Sequence, residues 1–322
     1  MKIIPPNPTL VKGKAPTNPP FVKGGRGDFQ IKKTVTTKAI LLLFSLIPLA
    51  VRREIFKAIS LLFYRFSTKH RLITLHNLKC ACPEKDMKGL GKIARGAFRN
   101  LGIVVAEFFE IPSLTRENIH NLIEFEGFEN YTKTMSKNRG VLFFTAHLGN
   151  WELMAAASAM LGHPLTVIYR PLDNPVLENL VTYVRACKGN KPLPKEGATK
   201  QIFRRIKKNE VVGTLLDQNM AWQEGVFVDF FGRPACTTDG LASLALYTGA
   251  PVIPAFMVRM ENGKYRFIIG EEVTIINAGN PERDILTNTQ NFTKIIEGFV
   301  RNYPDQWLWV HQRWKTKRHQ VV

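Results

Sequence analysis

From residue 140 onward, short apolar runs alternate with longer segments of helical period, and few folds accommodate that rhythm. The runs are GVLFFTA (140–146), LTVIYR (165–170), VVGTLLD (211–217), VIPAFMV (252–258) and YRFIIG (265–270). Each has the length of a buried strand and is too short for a core helix. Between them lie NWELMAAASAML, NPVLENLVTYVRACK and helix-like stretches around 198–208, 238–248 and 289–302. Asn174 reads as the cap of its helix, with Pro175 in the first turn. An amphipathic helix over 86–110 precedes the series. Strands interleaved with helices predict an α/β domain over 71–322, with a sheet covered by helices on its faces.

The first 70 residues are different. Residues 1–38 are rich in Pro, Gly and Lys and show no hydrophobic period, which predicts a disordered basic tail. Within it Asn7-Pro8-Thr9-Leu10-Val11-Lys12-Gly13 returns imperfectly as Asn18-Pro19-Pro20-Phe21-Val22-Lys23-Gly24. Pro and Lys interrupt every candidate apolar core, so the tail does not read as a signal peptide. AILLLFSLIPLAV (39–51) is too short to span a bilayer by itself, and Pro48 would kink a helix continuing through it. IFKAISLLFYRF (55–66) is apolar on most of its surface, with Lys57 and Arg65 able to snorkel. Residues 39–70 therefore read as a helical membrane-anchoring region with a basic collar, or else as a hairpin of the core.

The charge narrows the partners. Lys and Arg exceed Asp and Glu by 45 to 26, a formal +19, so the chain is drawn to something polyanionic. No zinc-finger spacing, RNP-type aromatic motif or basic zipper is present, which argues against nucleic acid. The basic residues crowd around apolar stretches, as at a membrane surface. Cys80, Cys82, Cys187 and Cys236 form no CxxC and read as packing residues in a reducing compartment. No phosphate-binding or dinucleotide glycine pattern occurs, and neither a metal nor an organic cofactor is expected.

The chemistry concentrates in Thr145-Ala146-His147-Leu148-Gly149-Asn150-Trp151-Glu152. His147 follows directly on a strand, at the edge where α/β sheets place their sites. Gly149 permits a tight turn and Asn150 can cap the next helix. With His147 in that turn, Glu152 can fold back to accept the Nδ1 proton, leaving Nε2 free to take a proton from a hydroxyl. No Ser or Cys stands in a nucleophile elbow, so direct attack by an acceptor alcohol is expected. The bland alternative is a histidine that merely ends a strand. Arg170 and Asp217 also end apolar strands. Arg170 could hold a phosphate or a thioester oxygen, or make a surface salt bridge. Asp217 is a second candidate partner for His147, or an acceptor for a sugar hydroxyl. Phe231 could equally be core or acyl-chain lining, and Arg233 could contact a phosphate.

The stretch resembles the lysophospholipid acyltransferase superfamily, and within it the late acyltransferases of lipid A biosynthesis. His147 and Glu152 match an HxxxxE motif where the glycerophospholipid branch has HxxxxD. Further matches follow in order: Tyr169-Arg170-Pro171, Asp217-Gln218, the segment Glu224 to Gly232, Pro251-Val252-Ile253-Pro254, and Trp307 to Lys315. Asn77-Leu78-Lys79 and Pro83-Glu84 also fit, so the resemblance covers about 39–316.

The resemblance implies a central mixed sheet flanked by helices, of the glycerolipid acyltransferase type. It implies catalysis by His147 and Glu152, with Arg170, Asp217, Gln218, Phe231, Gly232 and Arg233 at the substrates. The implied reaction moves a fatty acyl chain from acyl carrier protein to a hydroxyl of an anionic lipid A precursor, at the cytoplasmic face of the inner membrane. The basic face formed by Lys200, Arg204, Lys207 and Lys208 would suit the acidic carrier, or be a solvated surface. Trp307 and Trp309 near Arg313, Lys315, Lys317 and Arg318 suit a headgroup interface or the core. Other acceptors, such as a lysophospholipid, an aminolipid or a glycosylated phosphoinositide, remain open, as does a non-catalytic protein that only binds anionic membranes.

Overall fold

A computed structural model of the chain describes residues 26–318. The imperfect repeat of the tail lies outside them, but the end of the expected tail does not. After Gly27 neither Pro nor Gly occurs before Pro48, and α1 (Arg26–Ser45) occupies that stretch. Pro48 then separates α1 from α2 (Leu49–Phe66), which is followed by α3 (Thr68–Ala81) and α4 (Met87–Phe108). Helix α2 packs along α4 at close range: a Cβ on Gly102 would come within 2.5 Å of the Phe56 carbonyl oxygen.

The α/β part runs α5 (Arg116–Leu122), β1 (Ile123–Glu126), α6 (Phe128–Met135), β2 (Val141–Thr145), α7 (Trp151–Met160), β3 (Leu165–Tyr169), α8 (Pro175–Ala186) and β4 (Lys191–Pro194). It continues α9 (Thr199–Lys207), β5 (Val211–Leu215), β6 (Gly225–Phe230), β7 (Arg233–Thr238), α10 (Gly240–Thr248), β8 (Val252–Arg259), β9 (Tyr265–Ile269) and α11 (Pro281–Asn302). The sheet is mixed, as expected, in the order β1-β9-β8-β2-β5-β3-β4. Only the β8–β9 pair is antiparallel. Strand β2 lies at the centre with every residue buried. On one face Phe143 and Val211 pack with Leu153 and Met154 of α7. On the other, Phe144 and Val212 meet Ile202 of α9, Leu241 of α10 and Phe292 of α11.

Three departures from the sequence reading have local reasons. Strand β4 is KPLP, and a strand with two prolines survives because it lies at the sheet edge. The pair β6–β7 forms a separate hairpin whose two-residue turn, Phe231-Gly232, has φ of 59° and 71°. Those values define a primed turn, so the Phe-Phe-Gly-Arg segment is a hairpin tip. Helix α11 begins eight residues early, at Pro281, with Asn280 as its cap. That is the same Asn-Pro signal that opens α8.

Among the described residues no helix is long and apolar enough to cross a membrane. The N-terminal helices nevertheless expose Leu42, Leu43, Leu46, Ile55, Ile59, Leu62 and Phe66. The expected basic collar is only partly on the surface. Arg52 is buried, donating to the Phe44 carbonyl at 2.7 Å and pairing with Glu110, while Arg53 pairs with Glu107 at 2.6 Å. Arg65 and Lys69 remain exposed. At the other end, Trp307, Trp309 and Arg313 are core. Burial lowers the Arg313 pKa to about 10; its guanidinium donates to the Cys236 carbonyl at 2.9 Å and lies over the Phe230 ring.

Candidate active site

Strands β2 and β5 are parallel neighbours, with Thr145 beside Leu215. His147 and Asp217 each come two residues later, so the register itself brings them abreast. His147 Nδ1 lies 2.9 Å from Asp217 Oδ1, and the His147 backbone N–H donates to Oδ2 at 2.8 Å. The Trp307 indole N–H also donates to Oδ2 at 2.8 Å. Asp217 is fully buried. Burial pushes its pKa up, but the attraction to His147 and these hydrogen bonds outweigh it and hold the value at about 2. An ionised Asp217 fixes the Nδ1–H tautomer and leaves Nε2 as the acceptor nitrogen. The Trp151 ring meets the imidazole edge-on at 5.1 Å, and Gln218 Nε2 lies 3.4 Å from His147 Nε2.

The turn carrying His147 is clamped on both sides. Gly149 has φ of 62°, and a Cβ there would fall 1.7 Å from the Met257 carbonyl oxygen. Gly149 N–H donates to the Gln306 carbonyl and Asn150 N–H to that of Met257, both at 3.0 Å. Asn150 caps α7 as expected, accepting from Leu153 N–H at 2.9 Å. Its amide also donates to buried Glu107 on α4 at 2.6 Å, and Glu107 in turn holds Arg53, Arg259 and Tyr265. The His147 turn and the N-terminal helices thus share one carboxylate.

Glu152 does not hold the imidazole. From the first turn of α7 it faces α8, where Arg185 takes it in a two-point ion pair: Nε to Oε2 at 3.0 Å and Nη2 to Oε1 at 2.5 Å. The opposite charge captures it there, while β5 delivers Asp217 at the level of the ring. Arg185 lies 5.6 Å from the Tyr169 ring centroid, and the Tyr169 hydroxyl donates to Glu178 at 2.7 Å. Glu152, Arg185 and Tyr169 wall the same cavity as His147. Arg185 escaped the sequence reading, although a lone arginine late in an apolar helix was a usable signal. Glu152→Ala and Arg185→Ala are each expected to lower kcat/KM about 10- to 100-fold through misplacement of that wall. The double variant should be no worse than the poorer single one, because each side chain acts through the other. A double-mutant cycle measures this, and additive losses would separate their roles.

The cavity has a volume of about 1050 Å³ and wraps the C-terminal edge of the sheet. On the α7 side it is lined by Phe143, Val167, Met154 and Ala155, on the other by Ile202, Phe203, Leu241 and Leu244. Arg170 sits at its rim, largely exposed and 3.7 Å from Asp173. Gln218 lines it; Phe231, Gly232 and Arg233 do not. As the hairpin tip, Phe231 is buried under the Arg301 guanidinium at 4.4 Å, and Gly232 and Arg233 face solvent.

An α/β domain with a mixed sheet and a His–Asp pair at the mouth of a largely apolar cavity has the architecture of an enzyme with an apolar substrate. Sequence comparison says which. Residues 30–316 match the model of the bacterial lipid A biosynthesis acyltransferases, and the chain belongs to that family of acyltransferases. It is 26% identical to a lipid A biosynthesis acyltransferase of Haemophilus influenzae over 86% of either chain. It is 28% identical to the lipid A biosynthesis lauroyltransferase of Escherichia coli over 79% of this chain and 81% of that one. With the lipid A biosynthesis myristoyltransferase of Escherichia coli the identity is 22%, over 79% and 78%.

Proposed function

We propose that the protein transfers a fatty acyl chain from acyl carrier protein to a hydroxyl of a lipid A precursor, with His147 as general base. The observation that carries this reading is the imidazole itself: Nδ1 tied to a buried carboxylate, Nε2 turned to an apolar cavity. Nε2 accepts the proton of the acceptor hydroxyl as its oxygen attacks the thioester carbonyl carbon. The tetrahedral intermediate collapses by breaking the carbon–sulfur bond, and the imidazolium returns the proton to the leaving thiolate. Asp217 stabilises the imidazolium without itself being protonated. The Gln218 amide beside Nε2 can donate to the oxyanion, and Arg170 at the rim can meet an acceptor phosphate.

Two surfaces support the partners. Helix α9 lends Ile202 and Phe203 to the cavity and exposes Lys200, Arg204, Lys207 and Lys208 on its outer side, a basic face for an acidic carrier. The apolar face of α1 and α2 beside Arg65 and Lys69 suits an anionic membrane, which would place the enzyme on the inner membrane's cytoplasmic face. The test offers purified protein a lipid A precursor, a lysophospholipid, an aminolipid and a phosphoinositide glycoside, each with labelled acyl carrier protein or acyl-coenzyme A. Label on the lipid A precursor from the carrier is the expected product. Label on another acceptor, or transfer only from coenzyme A, would refute the substrate pair.

A further inference from the structure

We propose that Gly213 sets the length of the acyl chain that the enzyme accepts, an inference that rests on the acyl-transfer reading of the cavity. Gly213 occupies the middle of β5, an interior strand, with Phe143 of β2 and Val167 of β3 abreast of it. Side chains in this row point to the α7 face, where Phe143 and Val167 line the cavity. Gly213 lines it too, and a Cβ built on it would meet nothing within 4 Å.

Neither usual reason for a strand glycine applies here. Its φ lies outside the left-handed region, so any L-residue could adopt the backbone, and no neighbouring atom needs the space. A glycine weakens a central strand, which otherwise favours β-branched residues. What its absent side chain leaves is room. That room continues inward past Leu165 and Asn190 beneath α7 and α8.

The row has the right depth for a ruler. Gly213 stands four residues before Asp217, which at strand rise is about 13 Å from the level of the reacting imidazole. A chain whose thioester lies beside His147 and which enters on the α7 side passes Gly213 on its way to the inner end of this lobe. Any side chain there stands across its path.

A graded series, Gly213→Ala, Gly213→Val and Gly213→Leu, tests this by two readouts. The first is the ratio of kcat/KM for palmitoyl over decanoyl donors. The second, which needs no turnover, is displacement of a fluorescent fatty acid from purified protein by palmitic against decanoic acid. The expected result is a long-to-short ratio that falls stepwise with side-chain volume in both assays, by about tenfold or more at Val. An unchanged ratio would overturn the proposal, and so would an equal loss for every chain length. If transfer fails in the wild type while the binding ratio still shifts, the catalytic reading falls and the role of Gly213 stands.

Discussion

Replacing His147 with alanine is expected to lower kcat/KM for acyl transfer by about 10³-fold, or roughly 4 kcal/mol of transition-state stabilisation. The size follows from the geometry. Among the residues that line the cavity, His147 has one ring nitrogen locked as a donor and the other left as an acceptor at the reacting end. Binding of the chain along the apolar walls should persist, so the loss falls on kcat more than on KM. Alanine also removes a partner from buried Asp217, which confounds activity with stability. His147→Asn removes that ambiguity, since its amide N–H can still donate to Oδ1 while offering no basic nitrogen. Both variants should be nearly inactive, and the asparagine variant should melt closer to the wild type. A variant turning over at near the wild-type rate would exclude His147 as the base.

The second large effect is expected at Asp217. Its two oxygens accept from the His147 ring, the His147 backbone and the Trp307 indole, all in a buried environment. Asp217→Ala leaves those donors without an acceptor and should cost about 3–5 kcal/mol of stability. Asp217→Asn is the gentler test: its amide can turn an N–H towards Nδ1, favouring the tautomer that protonates Nε2, and transfer should fall by about 10³-fold or more. The pH dependence follows from the carboxyl value of about 2, below the ordinary 3.8. A depressed folded-state pKa stabilises the protein fully above the ordinary value, and that share disappears as pH falls through the folded one. The difference of nearly two pH units corresponds to about 2 kcal/mol, lost between roughly pH 4 and pH 2. Denaturant unfolding of wild type and Asp217→Asn across that range should therefore converge by about this amount. Curves that stay parallel would mean that Asp217 is not held ionised by His147.

Much of the molecule is legible in the sequence alone. The runs at 141–145, 165–169, 211–215, 252–258 and 265–269 are apolar because they lie inside a sheet covered on both faces, and that composition is a local property. The Asn174-Pro175 start of α8 and the Asn150 cap of α7 were readable because caps need only their neighbours in sequence. Strands β4 and β6–β7 were not, since prolines interrupt β4 and Asp229 breaks the short apolar run of β6. His147 stood out through its place after the central strand. Its partner was one of two candidates, Glu152 and Asp217, and the carboxylate nearest in sequence proved to belong to Arg185.

What the sequence by itself determined is the alternation of strand and helix, the family resemblance, and the residue types available for chemistry. What only the tertiary structure decided is which of them meet. Asp217 reaches His147 across seventy residues of chain because β5 lies parallel beside β2 with Thr145 opposite Leu215. Gly213 opens the cavity because it shares a row with Phe143 and Val167. Both depend on strand order and register, which arise from packing among distant segments, so neither can be read from any local stretch of residues.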